Sequence, residues 1–292
     1  MIKKFEPKDN LKEWVDYVWL VYEEHLSDSA RNDIVVPLCH FNLVFNLKDD
    51  YFLEENNKIY KMPEVVRVGV LDQAVKIKYG ESVFQIGIAL KPSEITSLIF
   101  RSEKNIANKV FSDYDLSHKI YEVSPNFYDL YDKLGSIEID ENQFDENFDA
   151  IMKLIWTYLE HSMDEVLIKK DTKDERVHDK VHISQMVQYI DEHLDSFKVT
   201  QMAQYFHVSV NTLERRFKKE VGLMPKSFAN IKRFLIQNKI QWAGEETLDY
   251  YYDQAHLIKD TRKYTNKTPK HLNEDQKELT LGYIFSHLNR KD

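Results

Sequence analysis

Residues 208–222 read VSVNTLERRFKKEVG. Arg215, Arg216, Lys218 and Lys219 crowd around Leu213 and Phe217, although the whole chain carries a formal net charge of -9. Ser209 suits an N-cap, where its hydroxyl accepts an otherwise unpaired backbone N–H. Gly222 suits a left-handed C′ position and Pro225 the first turn of a following helix. The stretch therefore predicts a helix from Val210 to Val221. Val210, Leu213, Phe217 and Val221 share one side, and Asn211, Glu214, Arg215 and Lys218 share another.

Upstream, VTQMAQYF predicts a short helix with Met202, Ala203 and Phe206 available for burial, and His207-Val208 is the turn between the two. A short helix, a tight turn and a basic amphipathic helix describe a helix-turn-helix, whose second helix fits the DNA major groove. The competing reading is a charged, solvated face in a helical bundle. Charge placement favours DNA. Residues 181–292 hold 17 Lys+Arg against 14 Asp+Glu, whereas residues 1–180 hold 23 against 35. A basic region in an acidic chain is the footprint of a polyanion partner.

At 292 residues, with 42% apolar and 30% charged residues, the chain is long enough for two domains with a substantial core. A single cysteine, Cys39, excludes an internal disulfide and suggests a reducing compartment. The N-terminus MIKKFEPKDNLKEW lacks an apolar run behind its lysines, so no signal peptide is expected. With no apolar stretch of membrane-spanning length either, a cytoplasmic location without membrane partners is expected.

NLVFNL (42–47), VVRVGVL (65–71), AVKIKY (74–79) and VFQIGIAL (83–90) read as short strands separated by turn signals. WVDYVWLVYEE (14–24) fits a strand or a helix, and SEITSLIF after Pro92 reads as a helix. Helical periodicity dominates from about 116 to 161 and again after the polar stretch IKKDTKDERVHDK. The expected fold class is α+β in two domains. Residues 1–165 form an antiparallel β barrel-like or cupin-like domain with trailing helices, 166–180 a linker, and 181–292 an all-α helix-turn-helix domain.

AQYFHVSVNTLERRFKKEVGLMPKSFANIKR resembles the first DNA-binding submotif of the AraC/XylS family of bacterial transcription regulators. The resemblance rests on Ala203, Val208-Ser209, Leu213, Arg215, Phe217-Lys218, Gly222, Pro225 and Arg233. YYDQAHLIKDTRKYTNKTPKHL (251–272) resembles the second submotif through Asp253-Gln254, His256, Leu257, Thr268 and Pro269. It implies two reading helices joined by a long helix and bound to double-stranded DNA. Asn211, Glu214 and Arg215, behind the Ser209 cap, would face bases, since Arg suits guanine and Asn suits adenine. Lys218, Lys219 and Arg233 would contact phosphates. Gln254, His256, Lys259, Arg262 and Lys263 are the candidates in the second submotif.

The second submotif departs from the family pattern. Tyr250 and Asn266 stand where Gly is usual, and Thr261 stands where Phe is usual. From Arg233 to Asp253 the chain is about seven residues shorter than the family's spacing by alignment. The second reading helix is therefore expected to be poorly supported. The runner-up function is an interaction protein that has lost autonomous DNA binding.

VVPLCHFNLVFNLKDD and IGIALKPSEITSLIF resemble the β-rich N-terminal domain of one group of these regulators. That resemblance implies a domain that senses a small-molecule effector or pairs protomers in a homodimer, with RNA polymerase a further partner of an activator. Leu38-Cys39-His40 faintly resembles the Pro-Cys-His of DNA alkyltransferases, but Leu precedes the cysteine and no basic residue follows the histidine. His178 and His182 have i, i+4 spacing without a third metal ligand, and read as a solvated pair. No cofactor, metal or enzymatic activity is expected.

Overall fold

In a computed structural model the described residues are 1–28, 30–55, 58–93, 125–139, 144–171, 182–243, 254–265 and 268. Nine antiparallel strands occupy the first part: β1 (Ile2–Phe5), β2 (Val15–Glu23), β3 (Asn32–Val35), β4 (Phe41–Asn46), β5 (Tyr51–Glu55), β6 (Lys58–Lys61), β7 (Val65–Val68), β8 (Val75–Tyr79) and β9 (Val83–Leu90). They form a five-stranded sheet, β1-β2-β9-β4-β7, and a four-stranded sheet, β3-β8-β5-β6. The antiparallel β-rich architecture expected from the sequence is therefore present. The stretch fitting either strand or helix is strand β2, which pairs along its length with β9, Trp19 opposite Gly87 and Val21 opposite Gln85.

Period-two alternation sorts the five-stranded sheet into two faces. Val18, Leu20, Leu43, Phe45, Val65, Ile86 and Ile88 belong to one core cluster, with the helices that follow. Val21 and Val66, with Tyr51, Leu53 and Tyr79 of the other sheet, belong to a second. Two helices, α1 (Pro125–Gly135) and α2 (Phe144–Asp171), contribute Leu130, Leu134, Phe148, Ile151 and Ile155 to the first cluster. Helix α2 continues to Asp171, so residues 166–171 of the expected linker are helical; no Gly or Pro interrupts them. Residues 94–100, where a helix is expected after Pro92-Ser93, lie outside the described residues.

The C-terminal part is helical: α3 (Ile183–Glu192), a 3₁₀ turn (Leu194–Ser196), α4 (Val199–Tyr205), α5 (Val210–Val221), α6 (Pro225–Ala243) and α7 (Gln254–Thr265). Leu213 and Phe217 of α5 are fully buried, and the Phe217 ring meets Phe228 of α6 edge-on, centroids 5.5 Å apart. Among other places, the β-rich and helical parts meet at the loop between β3 and β4. There the Cys39 thiol, 3.7 Å from the Phe228 carbonyl, donates to it.

Candidate nucleic-acid interface

Helix α5 has the bounds its sequence predicts. The Ser209 hydroxyl accepts the Thr212 backbone N–H at 3.1 Å. Gly222 sits at φ 92, in the left-handed region where a side chain is strained, and its N–H reaches the Lys218 carbonyl at 2.9 Å. His207, in the turn before α5, also takes a positive φ of 52, a conformation in which His is among the commoner non-glycine residues. The α4–α5 turn is closed by the Val208 N–H donating to the Ala203 carbonyl at 3.0 Å.

With Leu213, Phe217 and Val221 turned inward, Ser209, Asn211, Arg215, Lys218 and Lys219 are exposed, and Glu214 is half-buried. Lys226, early in α6, is exposed as well. On α5, Arg215, Lys218 and Lys219 form an exposed cationic face opposite the buried apolar stripe. Such a face can neutralise phosphates and release their counterions, and an Arg on a helix lying in the major groove can reach base edges.

Arg233 occupies a different environment. It is half-buried, its Nε donates to the Leu194 carbonyl at 2.7 Å, and its Nη1 donates to Asn230 Oδ1 at 2.9 Å. These bonds tie α6 to the 3₁₀ turn behind α3. Lys232 pairs with Asp191 across the same junction. The sequence signal for this role is weak, because a basic residue on a long helix looks the same whether it faces solvent or a neighbouring carbonyl.

Lys259, Arg262 and Lys263 of α7 are exposed, and the Lys263 ammonium lies 4.9 Å from the Tyr264 ring centroid. The side chains of Gln254 and His256 lie outside the described residues, as do residues 244–253, where the shortened spacing falls. On the inward face of α7, Tyr264 is 1% exposed and packs on Phe234 with centroids 4.9 Å apart. Thr261 is equally buried, and its hydroxyl oxygen has no hydrogen-bond partner among the described residues.

Elsewhere the candidate chemistry is closed off. Cys39 is buried at φ 59, and burial pushes its thiol well above the usual range, opposite to what a nucleophile needs. His40 is buried against Tyr17, whose hydroxyl is 3.3 Å from Nε2, and Asp16, whose Oδ2 is 3.5 Å from Nδ1. Burial raises the Asp16 carboxyl, but hydrogen bonding and charge from His40, then Lys91 and Lys4, outweigh it and leave it below the usual carboxylate range. His178 of the histidine pair lies outside the described residues. Among the described residues no three His, Cys, Asp or Glu side chains cluster for a metal, and no helix is long and apolar enough to cross a membrane.

Residues 3–112 match the family described as a domain of unknown function, DUF6597. No curated protein sequence matches the chain. Among solved structures, ToxT from Vibrio cholerae O395 is similar at TM-score 0.44 and 9% identity, covering 91% of this chain and 96% of that one. The unsaturated fatty acid-bound ToxT from Vibrio cholerae strain SCE256 gives 0.43 and 10%, covering 92% of each. The AraC-like transcriptional activator CuxR gives 0.24 and 11%, covering 80% of this chain and 85% of that one.

Proposed function

We propose that the chain is a sequence-specific DNA-binding transcription regulator with a cytoplasmic site of action. The observation that carries this reading is helix α5: capped at both ends, anchored by Leu213 and Phe217, and bearing an exposed row of Asn211, Arg215, Lys218 and Lys219. Asn211, Glu214 and Arg215 face bases; Lys218 and Lys219 contact phosphates; Ser209 sets the start of the helix. Arg233 contacts phosphate as well, from a side chain whose bonds to Leu194 and Asn230 hold α6 in place. Helix α7, with Gln254, His256, Lys259, Arg262 and Lys263, makes a second and weaker contact.

The β-rich part serves as a sensor or a pairing unit for a homodimer. The loop before β4 supplies a route between the two functions. Leu38 and His40 line a cavity between the sheets, and Cys39 between them contacts Phe228 on α6. A small-molecule effector that moves this loop shifts the helix carrying both reading elements, a coupling of two sites. RNA polymerase is a partner in the case of an activator.

Selection of bound sequences from a random duplex library by the purified full chain tests the reading. The expected result is an enriched motif whose affinity falls steeply with salt. Recovery of random sequence, with binding insensitive to salt, would favour an interaction protein without autonomous DNA binding.

A further inference from the structure

Between the two sheets lies a partly enclosed cavity of about 130 Å³. Trp19 of β2 forms much of one wall, and its indole lies over Gly87 of β9. A Cβ at Gly87 would come within 1.9 Å of that ring, so this glycine is what allows the indole to lie there. Val44, Leu53, Val68 and Ile77 continue the wall. Among the described residues the lining holds no lysine, arginine, aspartate or glutamate. Its one histidine, His40, is already engaged by Asp16 and Tyr17.

The polar groups of the lining divide into those already matched and those left over. At one end Tyr79 donates to Gln85 Oε1 at 3.5 Å, and Gln85 Nε2 donates to Asn46 at 3.1 Å. At the other end the Trp19 indole N–H donates to Asn42 Oδ1 at 3.3 Å. An indole N–H can only donate, which fixes the Asn42 amide oxygen toward Trp19 and leaves its NH₂ with no hydrogen bond to a described residue. The Tyr51 hydroxyl also lines the cavity and makes no hydrogen bond to a described residue, although Tyr51 is only 4% exposed. Burial raises its phenol well above the usual range, so it remains a donor.

We infer that this cavity binds a neutral molecule of about one aromatic ring in size, carrying an oxygen acceptor for the Tyr51 hydroxyl or the Asn42 amide. The size follows from comparison: an apolar protein cavity of about 150 Å³ accommodates benzene. The neutrality follows from the lining, since a buried anion without a cationic partner is strongly disfavoured. The acceptor follows from two donors on the lining, the buried Tyr51 hydroxyl and the half-buried Asn42 amide, neither of which donates to a described residue and each of which gains a bond when the ligand enters. The inference rests on the reading of the β-rich part as a sensor and supplies its ligand class.

Calorimetric titration of the full chain at neutral pH, without DNA, tests it. Benzamide and benzoate have nearly the same shape and differ in charge. Benzamide is expected to bind one per chain and at least about tenfold more tightly than benzoate. Tyr51→Phe removes one oxygen and is expected to weaken benzamide about three- to tenfold while leaving toluene, which has no acceptor, unchanged. Val68→Phe fills the cavity and is expected to abolish binding of both. Absence of saturable benzamide binding, benzoate binding as tightly as benzamide, or binding that survives Val68→Phe would overturn the site. Benzamide binding unaffected by Tyr51→Phe, with Asn42→Ala equally silent, would overturn the acceptor. Because DNA is absent from these titrations, their failure leaves the DNA-binding reading standing, and failure of the duplex selection leaves the cavity standing.

Discussion

Helices α5 and α7 are both 12 residues long and both carry two cations in the last turn. Their inward faces differ. Helix α5 buries Leu213, Phe217 and Val221, three apolar side chains along one stripe. Over its described side chains α7 buries Thr261, Tyr264 and Thr265, so small threonines occupy two of three inward positions. Thr265 solves its own problem by donating to the Thr261 carbonyl at 2.6 Å, but the Thr261 hydroxyl is unmatched among the described residues. Surface charge can therefore be duplicated between two helices while the support beneath it is not. Affinity for a polyanion depends on the charge; holding a side chain in register with a base edge depends on the support.

The largest expected effect separates the two supports. Phe217→Ala removes a fully buried ring from the seam between α5 and α6 and should destabilise the helical part by about 3–5 kcal/mol in denaturant unfolding. A loss below about 1 kcal/mol would mean that α5 is not anchored as described. Next is base reading. Arg215→Ala should weaken binding to the selected sequence by about 1–3 kcal/mol and relax one base position. Arg262→Ala on α7 should cost less and leave the preferred sequence unaltered. Equal losses, each with its own relaxed position, would erase the distinction between the helices. Smaller again is repair of α7. Thr261→Val replaces an unmatched buried hydroxyl by a methyl of similar size and should raise stability by about 1 kcal/mol, read as an increase in melting temperature. A decrease would show that the hydroxyl has a partner after all.

The parts of this molecule legible in its sequence are those governed by local rules. Helix α5 is defined by a cap, a stripe and a glycine within fifteen residues, each acting on its immediate neighbours, and its observed bounds match. Strand β9 is similarly plain, eight apolar-rich residues bounded by turns. Strands β1, β3, β5 and β6 escape because their four or five residues are rich in Lys, Asp, Glu or Asn, without the β-branched run that marks the equally short β7, and their pairing is set by partners elsewhere; β3, for instance, finds β8 across some forty residues. The same limit hides Arg233, whose carbonyl partner lies 39 residues away. It also hides the cavity. Trp19 and Gly87 are unremarkable until the sheet sets them opposite each other.

The smallest effect bears on whether charge on α5 and α7 is used alike. Each Lys or Arg that neutralises a phosphate releases counterions, so its removal flattens the dependence of log affinity on log salt by about 0.9. Lys218→Ala should flatten that slope by about this amount for any sequence, since a phosphate contact carries no base information. Lys263→Ala serves as the paired measurement, because its ammonium also leans on the Tyr264 ring and is exposed on a less firmly supported helix. A slope change of similar size for both variants would mean that α7 meets the backbone even where it does not read bases. A change confined to Lys218 would leave α5 as the main contact. A slope unaltered by Lys218→Ala would remove the phosphate role assigned to it, whatever the result for Arg215, because salt dependence and base preference arise from different groups on the same face.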